Sequence, residues 1–138
     1  VNDITKGINL ALSGLYGQEN VFYGNARDAV RPYVTFNMLP TVPSEYTACT
    51  RSTGDNAGVI TTFPFTIIYW ADTDQEARDR IVQIIDRFEE TDVTLVTDHL
   101  LMTEVVSQSV IEDPDQSFDG QTVWAGTAII EFKISKGA

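Results

Sequence analysis

Residues 61–88, TTFPFTIIYWADTDQEARDRIVQIIDRF, decide the fold, because the first half alternates and the second half repeats like a helix. Phe63, Phe65, Ile67 and Tyr69 alternate with Thr62, Pro64, Thr66 and Ile68, the two-residue period of a strand. Thr73-Asp74-Gln75-Glu76 then fits a capping box, in which a Thr hydroxyl and a Glu carboxylate satisfy each other's free amides. Ala77, Ile81, Ile84, Ile85 and Phe88 follow at helical spacing. Enzymes often place phosphate loops or nucleophile elbows where a strand runs into a helix. Here Trp70-Ala71-Asp72 carries no glycine and no nucleophile. The best-defined part of the chain is built to pack.

Upstream, Asn2 or Asp3 can cap a first helix, with Ile4, Ile8, Ala11, Leu12 and Leu15 as its apolar stripe. Gly14 or Gly17 ends it. Val21-Phe22-Tyr23 suggests a small edge strand, and Tyr33 to Leu39 a longer one. Pro40 and Pro43 interrupt that strand, so its end belongs at a sheet edge or a bulge. Thr41 to Gly58 is the least core-like segment, and long connections are usually functional or mobile. Tyr46 to Arg51 and Val59 to Thr62 could pair across it as a projecting hairpin. Beyond the second helix come two stretches rich in β-branched residues, Val93 to Val96 and His99 to Ile111. Glu112 to Gly120 is an acidic turn and Val123 to Ile134 a last strand, which pairs antiparallel with the one before it. The expected fold is α+β: one domain over residues 1–138, an antiparallel β-sheet with two helices on one face, in the order α-β-β-α-β-β. The projecting hairpin or loop occupies about residues 41–58.

The 138 residues carry a net charge of −11. Residues 1–70 hold −1 of it and residues 71–138 hold −10. Such a surface repels phosphate and argues against wrapping DNA or binding an anionic membrane. Its plain reading is solubility; its sharper reading is a face for a basic partner or a lumen that does not hold nucleic acid. No stretch reaches the roughly 18 apolar residues of a membrane span, and Val1-Asn2-Asp3 does not read as a signal peptide. Cys49 is the sole cysteine, which fits a reducing compartment.

Chemistry is sparse. His99, the one histidine, stands beside Asp98 in a predicted strand, and pairing it with Cys49 would require the fold to bring them together. A surface or interface histidine is the default. Asp113, Asp115 and Asp119 loosely suggest a calcium loop, but the spacing fails. Counting from Asp113, Ser117 sits at the fifth position, Gly120 at the eighth, and Trp124 where a glutamate should close the site. A solvated turn explains these residues. The chain holds no glycine-rich phosphate loop, no Cys-x-x-Cys and no His-Glu-x-x-His, so no metal and no cofactor is expected. Its longest aromatic run alternates as a core does and is not interleaved with basic residues, unlike a nucleic-acid platform.

Taken together, several pieces resemble a known family. They are the short helix ending near Gly14-Leu15-Tyr16-Gly17; Val21-Phe22-Tyr23; Arg31-Pro32-Tyr33-Val34-Thr35-Phe36; Tyr69-Trp70-Ala71-Asp72-Thr73 running into Glu76-Ala77-Arg78; and the last strand, Ala128 to Ile134. In this combination the chain resembles the tail terminator (tail completion) proteins of long-tailed bacteriophages. The resemblance implies a non-enzymatic virion protein that forms a homohexameric ring. Such a ring caps the tail tube, ends its polymerisation and offers a surface to a neck or head-completion protein, with DNA passing through the pore without specific binding. It implies no membrane partner, and assembly in the host cytoplasm. It supplies no catalytic residues. Candidate contacts with a neighbouring subunit or the tube are Tyr46, Arg51, Asp55 and Asn56; Asp113, Asp115 and Asp119 form a candidate acidic loop facing the lumen or a partner. The alternatives are a head-completion or neck adaptor of the same virion, a small soluble binding domain, and an enzyme using His99, Asp98 and the acidic loop.

Overall fold

The computed structural model describes residues 3–24, 30–40, 42–43, 60–90, 93, 95, 99–112 and 122–135. Helix α1 (Asp3–Tyr16) and a 3-10 turn (Gln18–Asn20) lead into strands β1 (Val21–Tyr23), β2 (Tyr33–Met38), β3 (Val42–Pro43) and β4 (Ile60–Ala71). Helix α2 (Asp74–Glu90) and strands β5 (His99–Glu112) and β6 (Trp124–Ser135) complete the chain. The strands form one sheet in the order β1-β2-β4-β6-β5, with β3 also paired to β4.

The alternation of residues 61–69 holds. Phe63, Phe65, Ile67 and Tyr69 are buried on one face of β4. Register carries that face sideways: Phe36 lies opposite Ile67, and Phe65 and Phe63 lie opposite Ile130 and Phe132. Both helices cover it, Ile4, Ile8 and Leu12 from α1 and Ile81, Ile84 and Phe88 from α2 joining the same core. Aromatic rings link the layers. Phe36 meets Phe65 at 6.3 Å, Phe65 meets Phe132 at 5.9 Å, and Phe132 meets Phe88 at 5.5 Å. Each such burial is worth about 1.5–3 kcal/mol relative to exposure.

Of the expected stripe on α1, Leu15 is only half-buried. The helix ends at Gly17 rather than Gly14. Gly17 adopts φ 88°, where a side chain would be strained, and its amide still reaches the Ser13 carbonyl at 2.9 Å. Asn20 Nδ2 then donates to the Tyr16 carbonyl at 2.8 Å, satisfying one of the orphan acceptors of the last turn.

Two expectations need correction. The sheet is mixed, because β1 runs parallel to β2, with Val21, Phe22 and Tyr23 opposite Val34, Thr35 and Phe36. Alternation shows that residues are extended; it carries no sign of strand direction, which the path of the connection sets. The order is also richer than α-β-β-α-β-β, since β1 and β3 are separate short strands. The chain leaves β2 before Pro40 and rejoins the sheet at Val42–Pro43, opposite Thr62 and Thr61. Pro64 lies in the gap between these two pairings. The Pro64 carbonyl accepts from the Leu39 amide at 2.8 Å. In a strand the amide and carbonyl of one residue face the same side, so the donor that Pro64 lacks also faces Leu39, and the reciprocal bond of that pair is missing where the β2 pairing ends. Val93 and Leu95 lie in no strand; Val93 is buried and Leu95 packs on the core.

Candidate functional site

The strand-to-helix join is a mechanical seam. Thr73 Oγ1 accepts from the Glu76 amide at 3.1 Å, and the Thr73 carbonyl accepts from the Ala77 amide at 3.1 Å. The Glu76 carboxylate turns to the sheet and accepts from the Tyr69 hydroxyl at 3.4 Å. Tyr16 of α1 packs against Tyr69 with ring centroids 5.3 Å apart. Its hydroxyl reaches Gln83 Oε1 at 3.1 Å and the Arg80 carbonyl at 3.3 Å, both on α2. One cluster thus ties α1, β4 and α2. Burial raises the Tyr16 hydroxyl pKa above its ordinary value, with the Tyr69 charge adding to the rise and Arg80 opposing it. Tyr69 is raised by burial first and then by the Glu76 charge. Both phenols therefore stay protonated and act as donors, not as bases.

Across the sheet, Trp70 serves packing. Its Nε1 donates to Thr35 Oγ1 at 3.1 Å, and its ring stacks on Tyr33 at 6.2 Å. Asp72 accepts from Arg31 Nε at 2.7 Å. Among the described residues, no group of three His, Cys, Asp or Glu side chains could hold a metal ion. A cleft of about 330 Å³ opens between α2 and β5, lined by Arg78, Ile81, Val82, Gln108, Ser109 and Val110. It holds one charged group, Arg78, already paired with Asp74 at 2.8 Å, and no nucleophile–base pair.

The sequence-predicted contact residues Tyr46, Arg51, Asp55 and Asn56 lie outside the described residues, as do Asp113, Asp115 and Asp119. Cys49 and Asp98 also lie outside them, and His99 is described only as the first residue of β5. Their anchor points are nevertheless defined. Val42–Pro43 and Thr61–Thr62 pair side by side, so the chain between them leaves and returns at one place. Glu112 pairs with Trp124, which fixes the base of the acidic segment. The two bases sit at opposite ends of the sheet: Ile60 lies opposite Ser135 at one end, and Ala71 opposite Trp124 at the other. The length of β4, Ile60–Ala71, separates them, or about 37 Å at roughly 3.4 Å per residue step. The described residues that flank the two candidate segments therefore lie at opposite ends of β4.

Sequence reasoning passed over the position of β5 as the last strand of the described sheet. This strand has 14 residues and, among the described residues, neighbours only β6. Met102, Val106 and Ile111 are exposed along it. The available signal was composition: HLLMTEVVSQSVIE contains neither lysine nor proline, the residues that commonly guard an edge.

No protein-family profile and no curated sequence matches the chain. Solved structures share its fold. A chain in the structure described as "Virion of native gene transfer agent (GTA) particle" superposes with a TM-score of 0.61 at 13% identity, covering 90% of this chain and 84% of that one. The "bacteriophage SPP1 gp17 protein" superposes with a TM-score of 0.52 at 18% identity, covering 98% of this chain and 91% of that one. The likeness spans nearly the whole of each chain, so what is shared is the complete fold and not one common motif.

Proposed function

We propose that this chain is a structural, non-enzymatic virion protein of a tailed phage or phage-like particle. In this reading it forms a ring that caps the tail tube, ends tube polymerisation and offers the joining surface to the neck. The observation that supports it best is the near-complete likeness of fold to a component of a gene transfer agent virion and to a bacteriophage SPP1 protein. It agrees with the family resemblance of the sequence, which rests on separate grounds. A described surface without a catalytic constellation suits a protein that works by contact.

The separation of the two segment bases, about 37 Å along β4, gives the reading a geometry. Residues 44–59, with Tyr46, Arg51, Asp55 and Asn56, would serve one neighbour, and Asp113, Asp115 and Asp119 would face the lumen or another partner. The net charge of −10 on residues 71–138 would let DNA pass without being held. The second reading, a head-completion or neck adaptor, shares the fold and differs in partner. Electron microscopy of tails assembled with and without the protein separates the two. Overlong, ragged tubes in its absence support termination; tubes of normal length that fail to join heads favour the adaptor. Deleting Asn56-Ala57-Gly58 should leave the fold intact and block ring formation or docking; a deletion variant that still caps tubes would remove this segment from the interface.

A further inference from the structure

We propose that the groove between α2 and β5 receives a basic amphipathic helix of a different protein, its apolar stripe against Val82 and Val110 and its cationic flanks against the carboxylates of α2. The proposal goes beyond the ring reading and needs no second copy of this chain. Its first ground is a gap in the helix layer. Ala128 and Ile130 of β6 belong to the buried core beneath the helices, and Gly126 lies beneath Ala77 of α2. Their partners on β5 are Gln108, Val105 and Val110, so these three face the helix side of the sheet as well. Burial nevertheless stops there: Gln108 is exposed, and Val105 and Val110 are only half-buried.

Ile81 stands over Gly126 of β6. Arg78 and Val82 flank it on α2 and face Gln108, Ser109 and Val110 of β5 across the cleft of about 330 Å³. Val82 is 48% exposed on that flank. A sheet face is ordinarily buried under a full layer of helices, and neighbouring helices in a layer stand roughly 8–10 Å apart. One more helix beside α2 would close the strip over β5 and bury Val82 and Val110 together.

The second ground is the sign of the charge around the groove. Asp79, Asp86 and Glu89 are exposed along α2, and Glu112 at the end of β5. Asp79 and Asp86 stand three and four positions from Val82, so the two carboxylates bracket the exposed valine on one face of the helix. The one cation lining the cleft, Arg78, is already paired with Asp74 at 2.8 Å. The rim therefore favours a partner carrying lysine or arginine and disfavours an acidic one. An apolar anchor flanked by charge of one sign is how a groove reads an amphipathic helix. This chain does not supply that helix to itself. Outside α2, no ten consecutive residues hold more than two of its nine Lys and Arg, and α1 carries Lys6 alone.

The test titrates the full chain against three fluorescent peptides of about 18 residues, five turns of helix. The first carries leucines at helical spacing with lysines on either side of that stripe. The second has glutamates for the lysines. The third keeps the composition of the first, shuffled so that no apolar stripe forms. Saturable binding of the first is expected, at least about tenfold tighter than that of the other two and weakened by salt. Val82→Ser and Asp86→Asn should each weaken it by about threefold or more. Glu104→Gln makes the same change of charge on the opposite face of the sheet and should alter it by less than about twofold. Val82 and Asp86 are both exposed, so the variants should keep the fold, which circular dichroism checks. Equal binding of the first and third peptides would mean that charge alone attracts them, and would overturn the proposal. So would no binding of the first, or equal effects of Asp86→Asn and Glu104→Gln. Self-association of the chain that is lost with Val82→Ser would put a second copy in the groove, and would overturn it too.

Discussion

Gly126 of β6 lies directly beneath Ala77 of α2, so close that a β-carbon on Gly126 would stand 2.8 Å from the Ala77 carbonyl oxygen and 3.3 Å from Ile81 Cβ. The missing side chain lets the first turn of α2 rest on the sheet beside Tyr69, which lies opposite Gly126 in β4. The backbone of Gly126 is not among those with positive φ, so contact and not conformation demands glycine there. Gly126→Ala should therefore destabilise the fold by about 1–3 kcal/mol, the usual cost of overpacking. Chemical denaturation measures this directly; a loss well under 1 kcal/mol would mean that α2 lifts freely.

Thr73→Ala removes the acceptor for the Glu76 amide. A loss of about 1 kcal/mol is expected, within the range for N-cap deletions. Thr73→Asp should recover most of it, since a carboxylate can cap and also favours the positive end of the helix. Equal stability of the alanine and aspartate variants would show that the cap contributes nothing here.

The Tyr16–Tyr69 pair predicts a sensitivity to alkali. Both phenols have folded pKa values raised above the ordinary 10.0, first by burial. A raised phenol keeps its proton in the folded state while the unfolded chain releases it. Its contribution is thus complete below about pH 10 and is lost as pH climbs above that value towards the folded pKa. Tyr16→Phe should flatten the fall in melting temperature above pH 10. At neutral pH it should cost about 0.5–1.5 kcal/mol, through the lost bond to Gln83. An unchanged alkaline slope would count against burial as the cause.

Phe132→Ala should be the most damaging of these changes. Its side chain is fully buried and touches Phe65 in the sheet and Phe88 in the helix. A loss of about 3–5 kcal/mol is typical for such a cavity, enough to unfold a marginal domain at working temperature. Asp72→Asn serves as the contrast. The Arg31–Asp72 pair is short, at 2.7 Å, but Asp72 is 60% exposed, so less than about 1 kcal/mol should be lost. Thermal melts of the two variants side by side would expose an inverted ranking.

Local rules made much of this legible. Alternation from Phe63 to Tyr69 and from Ala128 to Ile134 named the core face, and helical spacing named Ile81, Ile84, Ile85 and Phe88. Each signal lives within a few residues of chain. Glu76 shows where such rules stop: its position fitted a reciprocal cap, but its carboxylate goes to Tyr69, a partner that only the packed strand supplies. Gly126 reads in sequence as an ordinary glycine, because Ala77 stands 49 positions away in the chain and reaches it only across the packed layers.

The sequence by itself determined which residues are extended, which are helical and which faces are apolar, because those properties are set by near neighbours. It also determined that no familiar catalytic or metal motif is present. Only the tertiary structure decided that β1 runs parallel to β2, that residues 44–59 and 113–121 depart from opposite ends of the sheet, and that β5 is left at its edge. Strand direction and strand order depend on how distant segments meet, and two strands with the same alternation can take either place in a sheet. The place of β5 at the end of the strand order follows from the same long-range meeting of segments.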